Sequence, residues 1–124
     1  MGTLNHIPEI KITADGSCTL YREEIDETYH STHGAIQESE HVFINAGLKR
    51  CTKKEISILE LGFGTGLNSY LTYIFTNENQ NLKIFYTAIE KFPIDHELVM
   101  QLNYTKFKGN DQIFNQLHLC EWGK

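Results

Sequence analysis

The feature that most constrains this chain is a run of three glycines at alternate positions, Gly62, Gly64 and Gly66. An apolar segment, residues 56–59, precedes the run and predicts a buried strand, and residues 67–75 follow it with apolar side chains at helical spacing. Glycines at such a junction let the backbone turn sharply and approach a ligand closely, and the N-terminus of the following helix attracts a carboxylate or phosphate. The alternative is that the glycine run is a flexible loop that binds no ligand. The position of the run between a strand and a helix favours a cofactor-binding loop.

Two details of this region narrow the kind of cofactor. The dinucleotide fingerprint has its third glycine one position later, where this chain has Leu67, so the spacing favours S-adenosylmethionine over NAD. A second strand pattern, residues 83–89, ends on Glu90. The carboxyl ends of two parallel strands lie side by side, so we expect Glu90 beside the glycine loop, where it can accept hydrogen bonds from ribose hydroxyls. An exposed acid that closes a strand is the alternative for Glu90.

The remaining elements surround this strand, helix, strand unit. Asp15-Gly16 between alternating segments predicts a β-hairpin over residues 10–21, and residues 23–33 lack any periodic pattern. Basic residues cluster in the linker over 49–54, which we interpret as a solvated turn, with contact to RNA phosphates as the alternative. Helical spacing predicts three further helices, over residues 34–46, 94–102 and 111–117.

The order of elements predicts an α/β fold with an N-terminal β-hairpin and helix over residues 1–50 and an incomplete Rossmann-like cofactor-binding half over residues 51–124. Only two strands of a parallel sheet are expected. Such a sheet normally needs several neighbouring strands to cover its edges and bury both faces, so we expect the sheet to be truncated and the chain to be part of a longer protein.

Composition excludes several classes of protein. A chain of 124 residues suffices for one small domain, and its N-terminus has neither a secretion signal nor a membrane-spanning segment, so we expect a cytoplasmic location. A formal charge of −5 gives no basic surface typical of nucleic-acid binding. Three cysteines without a Cys-x-x-Cys pair argue against a disulfide framework, a zinc ribbon or a cysteine nucleophile. His30 and His33 with Cys18 lack the further ligands of a metal site, and we predict none.

Three blocks of sequence, in the same order, carry a specific family resemblance. The block from Glu60 to Asn68 and the block Glu90-Lys91-Phe92-Pro93 resemble the methyltransferase domain of the tRNA 5-methylaminomethyl-2-thiouridine biosynthesis protein. This domain is found fused to a flavin oxidase or alone. Residues 26–44 resemble its N-terminal element, so the resemblance covers roughly residues 10–122. It implies a class I S-adenosylmethionine-dependent methyltransferase fold.

The resemblance also implies a reaction and a set of binding residues. The reaction is methyl transfer from S-adenosylmethionine to the aminomethyl nitrogen of a modified wobble uridine, with tRNA as partner and a flavin oxidase domain as a further possible partner. The glycine loop would wrap the methionine and adenosine parts, Glu90 would hold the ribose, and Asn68 would contact the amino acid end. Lys91 and Phe92 would flank the adenosine side, and Tyr29 would line the pocket. Ordinary packing in the core is the alternative role for Tyr29 and Phe92. The implied cofactor-binding residues are Glu60, Gly62, Phe63, Gly64, Thr65, Gly66, Asn68, Glu90, Lys91, Phe92 and Tyr29.

One departure from the family bears on catalysis. Members carry an acidic Asp-Ala-Phe-type motif at the end of a later strand, positioned to meet the substrate amine, and no such motif occurs in this sequence. We therefore assign no catalytic residue. Two other functions stay open: a cofactor-binding or partner-binding half domain without catalysis, and part of a flavin or nicotinamide oxidoreductase.

Overall fold

The computed structural model describes residues 7–123, which form two small sheets and four α-helices. β1, β2 and β3 form an antiparallel sheet, and β4 pairs with β5 in a parallel one. Three short 3₁₀ turns occur at Glu23–Ile25, Leu48–Arg50 and Tyr104–Lys106. The strands are β1 (Glu9–Ile12), β2 (Cys18–Arg22), β3 (Glu27–Thr28), β4 (Glu55–Leu61) and β5 (Lys83–Ile89), and the helices are α1 (Ala35–Ser39), α2 (Leu67–Glu78), α3 (His96–Val99) and α4 (Asp111–Leu119).

The predicted N-terminal hairpin is confirmed, and its turn anchors the first helix. Side chains of Thr13, Ser17 and Asp15 accept hydrogen bonds, at 3.0 to 3.1 Å, from the first three backbone N–H groups of α1. These N–H groups have no partner within a helix, so the turn supplies the cap that the sequence before α1 lacks. Gly34 allows this approach, because a Cβ there would lie 2.8 Å from a carboxylate oxygen of Asp15.

Two predictions for the N-terminal part need correction. The segment 23–33, expected to be irregular, contains the 3₁₀ turn Glu23–Ile25 and the two-residue strand β3, which pairs with the end of β2. The helix expected over 34–46 is α-helical only in α1 and continues as a π-helix over Glu40–Asn45. Periodicity of the apolar residues does not separate these two helix types over so short a segment, since both bury the same side of the chain.

The predicted parallel unit is confirmed. β4 and β5 pair in parallel from Glu55 opposite Lys83 to Leu61 opposite Ile89, and α2 connects them. β4 continues two residues beyond the expected strand, so Glu60 belongs to the strand and the loop begins at Gly62. The carboxyl ends of both strands therefore reach the glycine loop, as a crossover connection requires.

The two faces of the parallel sheet differ in burial. Ile56, Ile58 and Ile84 pack against the hydrophobic core, together with residues of α2. The opposite face carries four exposed apolar side chains, with exposed fractions from 55% to 77%: Leu59, Leu61, Phe85 and Ile89. Alternation along each strand thus buries one face of the sheet and leaves the other to solvent.

The C-terminal part packs onto the same core as the hairpin. The helix expected over 94–102 is shorter than predicted, since α3 spans only His96–Val99, whereas α4 extends two residues beyond the prediction. Asn103 ends this region by binding the hairpin, since its side chain accepts from the N–H of Cys18 at 2.8 Å and donates to the carbonyl of Gly16 at 2.9 Å. Within residues 7–123, no helix has the length and apolar character needed to cross a membrane.

Candidate cofactor site

The glycine loop has the backbone that its three glycines predict. Gly62, Gly64 and Gly66 have φ angles of 91°, 57° and 78°, a region that side chains with a Cβ rarely adopt. A Cβ at Gly62 would meet no atom within 4 Å, whereas one at Gly64 would lie 3.1 Å from the ring of Tyr29. Gly62 therefore borders open space, and the absence of a side chain there leaves room for a ligand.

Glu90 stands beside the glycine loop, as the crossover predicts. Its Oε1 accepts a hydrogen bond from the backbone N–H of Gly64 at 2.7 Å, and its Oε2 accepts from the N–H of Phe92 at 3.2 Å. A carboxylate oxygen can accept more than one hydrogen bond, so Glu90 keeps acceptor capacity for a ligand while it holds the loop.

A cavity of about 340 Å³ lies between the glycine loop and the N-terminal element. Six of the predicted binding residues line it, which are Tyr29, Glu60, Gly62, Phe63, Gly64 and Asn68. The other lining residues come from the N-terminal element and were not predicted: His30, Glu38, Ser39, Val42 and Phe43. No short-range pattern in the sequence points to them, because they lie 19 to 32 residues before Gly62, where the loop begins.

The floor of the cavity carries acceptor atoms without partners. Glu60 Oε2 accepts from the side-chain amide of Asn68 at 3.0 Å, but Glu60 Oε1 and Asn68 Oδ1 are buried and have no hydrogen-bond partner of good geometry within residues 7–123. The Tyr86 hydroxyl is also buried without such a partner. Burial raises the pKa of the Glu60 carboxyl, the polar contacts with Tyr86 and Asn68 oppose this rise, and the charge of Glu90 adds to it. Unpartnered acceptors beside a buried acid fit a group that donates hydrogen bonds, above all an ammonium.

The inner side of the glycine loop is formed by three of its own residues, Phe63, Thr65 and Gly66. Thr65 is wholly buried, and its carbonyl lies 2.7 Å from Nε2 of His118 in α4. The ring of Phe63 makes edge-to-face contacts with His118 at 5.3 Å and with Trp122 at 5.5 Å. Thr65 and Gly66 do not line the cavity, and their contact with a cofactor stays a prediction.

Lys91 and Phe92 lie beyond Glu90 and outside the cavity. Phe92 is 59% exposed, and the Lys91 ammonium and the Arg22 guanidinium lie 5.3 Å and 5.8 Å from the centre of its ring. These distances are within cation–π range. Phe92 therefore contacts β2 of the N-terminal sheet through Arg22, and Lys91 lies over the same ring.

A second cavity is larger, about 490 Å³, and lies between α2, β5 and the C-terminal segment. Of the predicted binding residues, only Phe63 lines it, and aromatic side chains such as Tyr73, Tyr86 and Trp122 form much of its wall. Within residues 7–123, no group of three or more His, Cys, Asp or Glu side chains could hold a metal ion. The smaller cavity, which contains the glycine loop and the unpartnered acceptors, is therefore the candidate cofactor site.

Comparisons with known proteins support the resemblance identified from the sequence. No protein-family model matches the chain. The chain is 32% identical over 97 residues to the tRNA 5-methylaminomethyl-2-thiouridine biosynthesis bifunctional protein MnmC of Campylobacter fetus subsp. fetus (strain 82-40), a match that covers 78% of this chain and 16% of that protein. It is 32% identical over 107 residues to the protein of the same name from Pseudoalteromonas atlantica, and here 77% of this chain and 15% of that protein are covered.

A solved structure gives a similar result. The chain resembles the crystal structure of MnmC2 from Aquifex aeolicus with a TM-score of 0.64 and 34% identity, over 74% of this chain and 32% of that one. The chain spans between 12% and 16% of the length of the curated relatives that it matches. The predicted similarity to the tRNA 5-methylaminomethyl-2-thiouridine biosynthesis protein is confirmed, and its assignment to a methyltransferase domain stays a prediction.

Proposed function

We propose that this chain binds S-adenosylmethionine and forms the cofactor-binding part of a methyltransferase. The proposed substrate is the aminomethyl group of a modified wobble uridine in tRNA. The curated relatives are named for the biosynthesis of tRNA 5-methylaminomethyl-2-thiouridine, which supports this substrate class. The proposal assigns no catalytic acid to the chain.

The observation that carries the proposal is the joint geometry of the glycine loop and Glu90. Three glycines in the left-handed region turn the chain between β4 and α2, and the Glu90 carboxylate lies 2.7 Å from the N–H of the central glycine. This arrangement places a ribose-binding acid beside backbone that a ligand can approach closely. The third glycine of the loop lies one position before the third glycine of the dinucleotide fingerprint. This spacing favours S-adenosylmethionine over NAD.

The polar residues of the candidate site match the hydrogen-bonding groups of S-adenosylmethionine. Bound S-adenosylmethionine would supply an activated methyl group. Glu60 Oε1 and Asn68 Oδ1, which have no hydrogen-bond partner of good geometry within residues 7–123, would accept hydrogen bonds from the ammonium of the methionine end. Glu90 would accept hydrogen bonds from the ribose hydroxyls, and the open space beside Gly62 would admit the ligand to the backbone.

Calorimetry with S-adenosylhomocysteine and with NAD tests the proposal. We expect S-adenosylhomocysteine to bind and NAD not to bind. The variant Glu90→Ala should bind S-adenosylhomocysteine at least tenfold more weakly, because each charged hydrogen bond to a ribose hydroxyl contributes about 1.5–3 kcal/mol, discounted for partial exposure. Its melting temperature should change little, since Glu90 is only half-buried and water can replace it at the Gly64 N–H.

Glu97→Ala is the matched control, because Glu97 is an exposed acid in the next helix and does not line the cavity. This control should keep the affinity of the parent chain. Equal affinity of Glu90→Ala and the parent would remove the ribose role, and binding of NAD or a flavin in preference to S-adenosylhomocysteine would favour an oxidoreductase.

A further inference from the structure

His30 lies where the N-terminal sheet meets the glycine loop. Its side chain is 13% exposed, and its Nε2 lies 3.1 Å from the hydroxyl of Thr65. Its backbone N–H donates to the hydroxyl of Thr19 at 2.9 Å, and its carbonyl accepts from the hydroxyl of Thr28 at 2.7 Å. Strands β2 and β3 therefore fix the position of His30 independently of the loop.

Thr65 is the point at which this contact acts on the loop. It lies between Gly64 and Gly66, which both have positive φ, so its position sets the direction of the peptide groups on either side. Its hydroxyl lies 3.1 Å from His30 and 3.2 Å from the hydroxyl of Tyr104, while its carbonyl faces His118. Glycines alone leave a loop free to adopt many conformations, and a buried side chain held between two elements restricts that freedom.

The hydrogen-bond network indicates which way the protons point. The Tyr104 hydroxyl donates to the carbonyl of Cys18 at 2.7 Å, which engages its single proton. The Thr65 hydroxyl can then point its proton at His30 Nε2 or at the Tyr104 oxygen, and only the first arrangement requires a neutral imidazole. In that arrangement the neutral imidazole accepts the proton and carries its own proton on Nδ1, which lies 3.9 Å from Oε1 of Glu38. A protonated imidazole cannot accept.

We propose that His30 is a positioning residue for the cofactor loop: its neutral imidazole binds the Thr65 hydroxyl and thereby holds Gly64 and Gly66 in the conformations that cofactor binding requires. The proposal rests on the proposed cofactor-binding function for its consequence on affinity. Nothing in the family resemblance or in the glycine pattern assigns a role to this residue. His30 touches the loop and not the reacting atoms, so it acts through Thr65.

The burial of His30, rather than the charge of its neighbours, favours its neutral form at pH 7. Burial lowers the pKa of His30, and the charge of Glu38, in α1, opposes this effect. Glu60 of β4 lines the same cavity, and Tyr104 and His118 face Thr65 from the other side. Burial also lowers the pKa of His118, but that imidazole faces a carbonyl, to which its N–H donates in either protonation state.

Two substitutions separate the hydrogen bond of His30 from its bulk. His30→Phe keeps a ring but removes the acceptor, whereas His30→Gln places an amide within reach of Thr65 and does not titrate. We expect His30→Phe to weaken S-adenosylhomocysteine binding at least tenfold at pH 7.5 and His30→Gln to restore affinity to within about threefold of the parent. His41→Gln is the control, since His41 is exposed and does not line the cavity.

Hydrogen exchange of the ligand-free protein tests the same idea without the cofactor. The amides of Thr65 and Gly66 should exchange faster in His30→Phe than in the parent and His30→Gln. If the parent itself does not bind S-adenosylhomocysteine, the proposed function fails, while the exchange rates still decide the role of His30. Parental exchange in a folded His30→Phe variant would overturn the proposal.

A pH series keeps the proposal testable if His30→Phe does not fold. The affinity of the parent should fall as the pH is lowered from 7.5 through the folded pKa of His30, which lies below its ordinary value of 6.5, because the imidazole then gains a proton and loses its acceptor. The affinity of His30→Gln should change less over the same range. Because Glu60 and His118 titrate equally in both proteins, the difference between the two profiles reports on His30, and identical profiles would contradict the proposal.

Discussion

Glu60 shows, at the scale of one residue, how a buried acid in the candidate cofactor site lowers stability. The residue is 9% exposed, and its Oε1 has no hydrogen-bond partner of good geometry within residues 7–123. Burying a charge without full compensation is costly, and for this acid the burial raises the pKa. The ionised form is therefore less favourable in the folded chain than in the unfolded one. A ligand that donates hydrogen bonds to Oε1 would remove this cost.

We predict that Glu60→Gln stabilises the ligand-free protein and weakens S-adenosylhomocysteine binding. Because the folded pKa of Glu60 is raised above its ordinary value of 4.5, its ionisation destabilises the fold as the pH rises through that folded pKa. At pH 7.5 the variant should melt a few degrees higher, equivalent to about 1 kcal/mol, and this advantage should shrink near pH 4.5. Thermal melts at both pH values and calorimetry check this.

The control for this prediction is Glu55→Gln, which changes an exposed acid at the other end of β4. It should change neither the melting temperature nor the affinity by a measurable amount. A lower melting temperature of Glu60→Gln at pH 7.5 would mean that the carboxylate stabilises the ligand-free loop.

Residue patterns in the sequence predicted the part of the site that is local in the chain. The loop conformation and the position of Glu90 follow from glycine chemistry and from the rule that parallel strands end at one edge. His30 and Glu38 could not be found in this way, because they reach the cavity through the pairing of β2 with β3 and through the capping of α1 by the hairpin turn. Such contacts between distant segments leave no spacing signal in a single sequence.

Helix α4 acts, at the scale of elements, as the support for the inner side of the glycine loop. Phe114 is 3% exposed and makes edge-to-face contacts with Tyr70 of α2 at 5.2 Å and with Tyr104 at 5.8 Å. His118, one turn later, reaches the carbonyl of Thr65. Asn110 caps the helix by accepting from the N–H of Ile113 at 3.2 Å. The packing of Phe114 therefore holds the imidazole that contacts the loop.

We predict that Phe114→Ala destabilises the protein by about 3–5 kcal/mol, the usual cost of removing a buried phenylalanine from a core. The loss of packing should also weaken S-adenosylhomocysteine binding, since His118 loses its support. Urea unfolding followed by circular dichroism measures the first effect. Leu119→Ala is the control, because this side chain in the same helix is 67% exposed, and it should cost less than about 0.5 kcal/mol. Similar losses in the two variants would contradict the prediction.

The sequence predicted whether a segment is a helix or a strand where the apolar pattern is long. It did not predict the end of a helix where contacts with distant segments set that end. α2 and β5 have clear periodicity and were placed correctly, whereas the helix expected up to residue 102 ends at Val99. Asn103 uses both its donor and its acceptor on the hairpin, with backbone angles of −113° and 17°. Hydrogen bonds to the hairpin thus set the geometry of this segment, and the local sequence does not reveal them.

The parallel sheet, at the scale of the whole molecule, is covered on one side only. Leu59, Leu61, Phe85 and Ile89 expose the apolar face opposite the core, and within residues 7–123 no third strand pairs with β4 or β5. Parallel sheets are normally covered on both faces.

The basic linker over 49–54 precedes β4, so it lies at the opposite end of the sheet from the glycine loop, roughly 20 Å away at 3.3 Å per residue.

We predict that the 124-residue chain binds S-adenosylhomocysteine but does not methylate tRNA by itself. The cavity of the candidate site is lined by the acids Glu38 and Glu60 and by no lysine or arginine, and the net charge of the chain is −5. Phosphate contacts supply most of the affinity for a nucleic acid, so this surface offers little to tRNA near the site. Incubation with undermodified tRNA and S-adenosylmethionine labelled in its methyl group should give no transfer. The bifunctional MnmC protein of Campylobacter fetus, which is named for the biosynthesis of tRNA 5-methylaminomethyl-2-thiouridine, is assayed in parallel to test whether the assay detects such transfer. Labelled tRNA from the 124-residue chain, lost in Glu90→Ala, would show instead that the acid meeting the amine lies within this chain, and Glu38, on the wall of the cavity, would then be the first residue to replace.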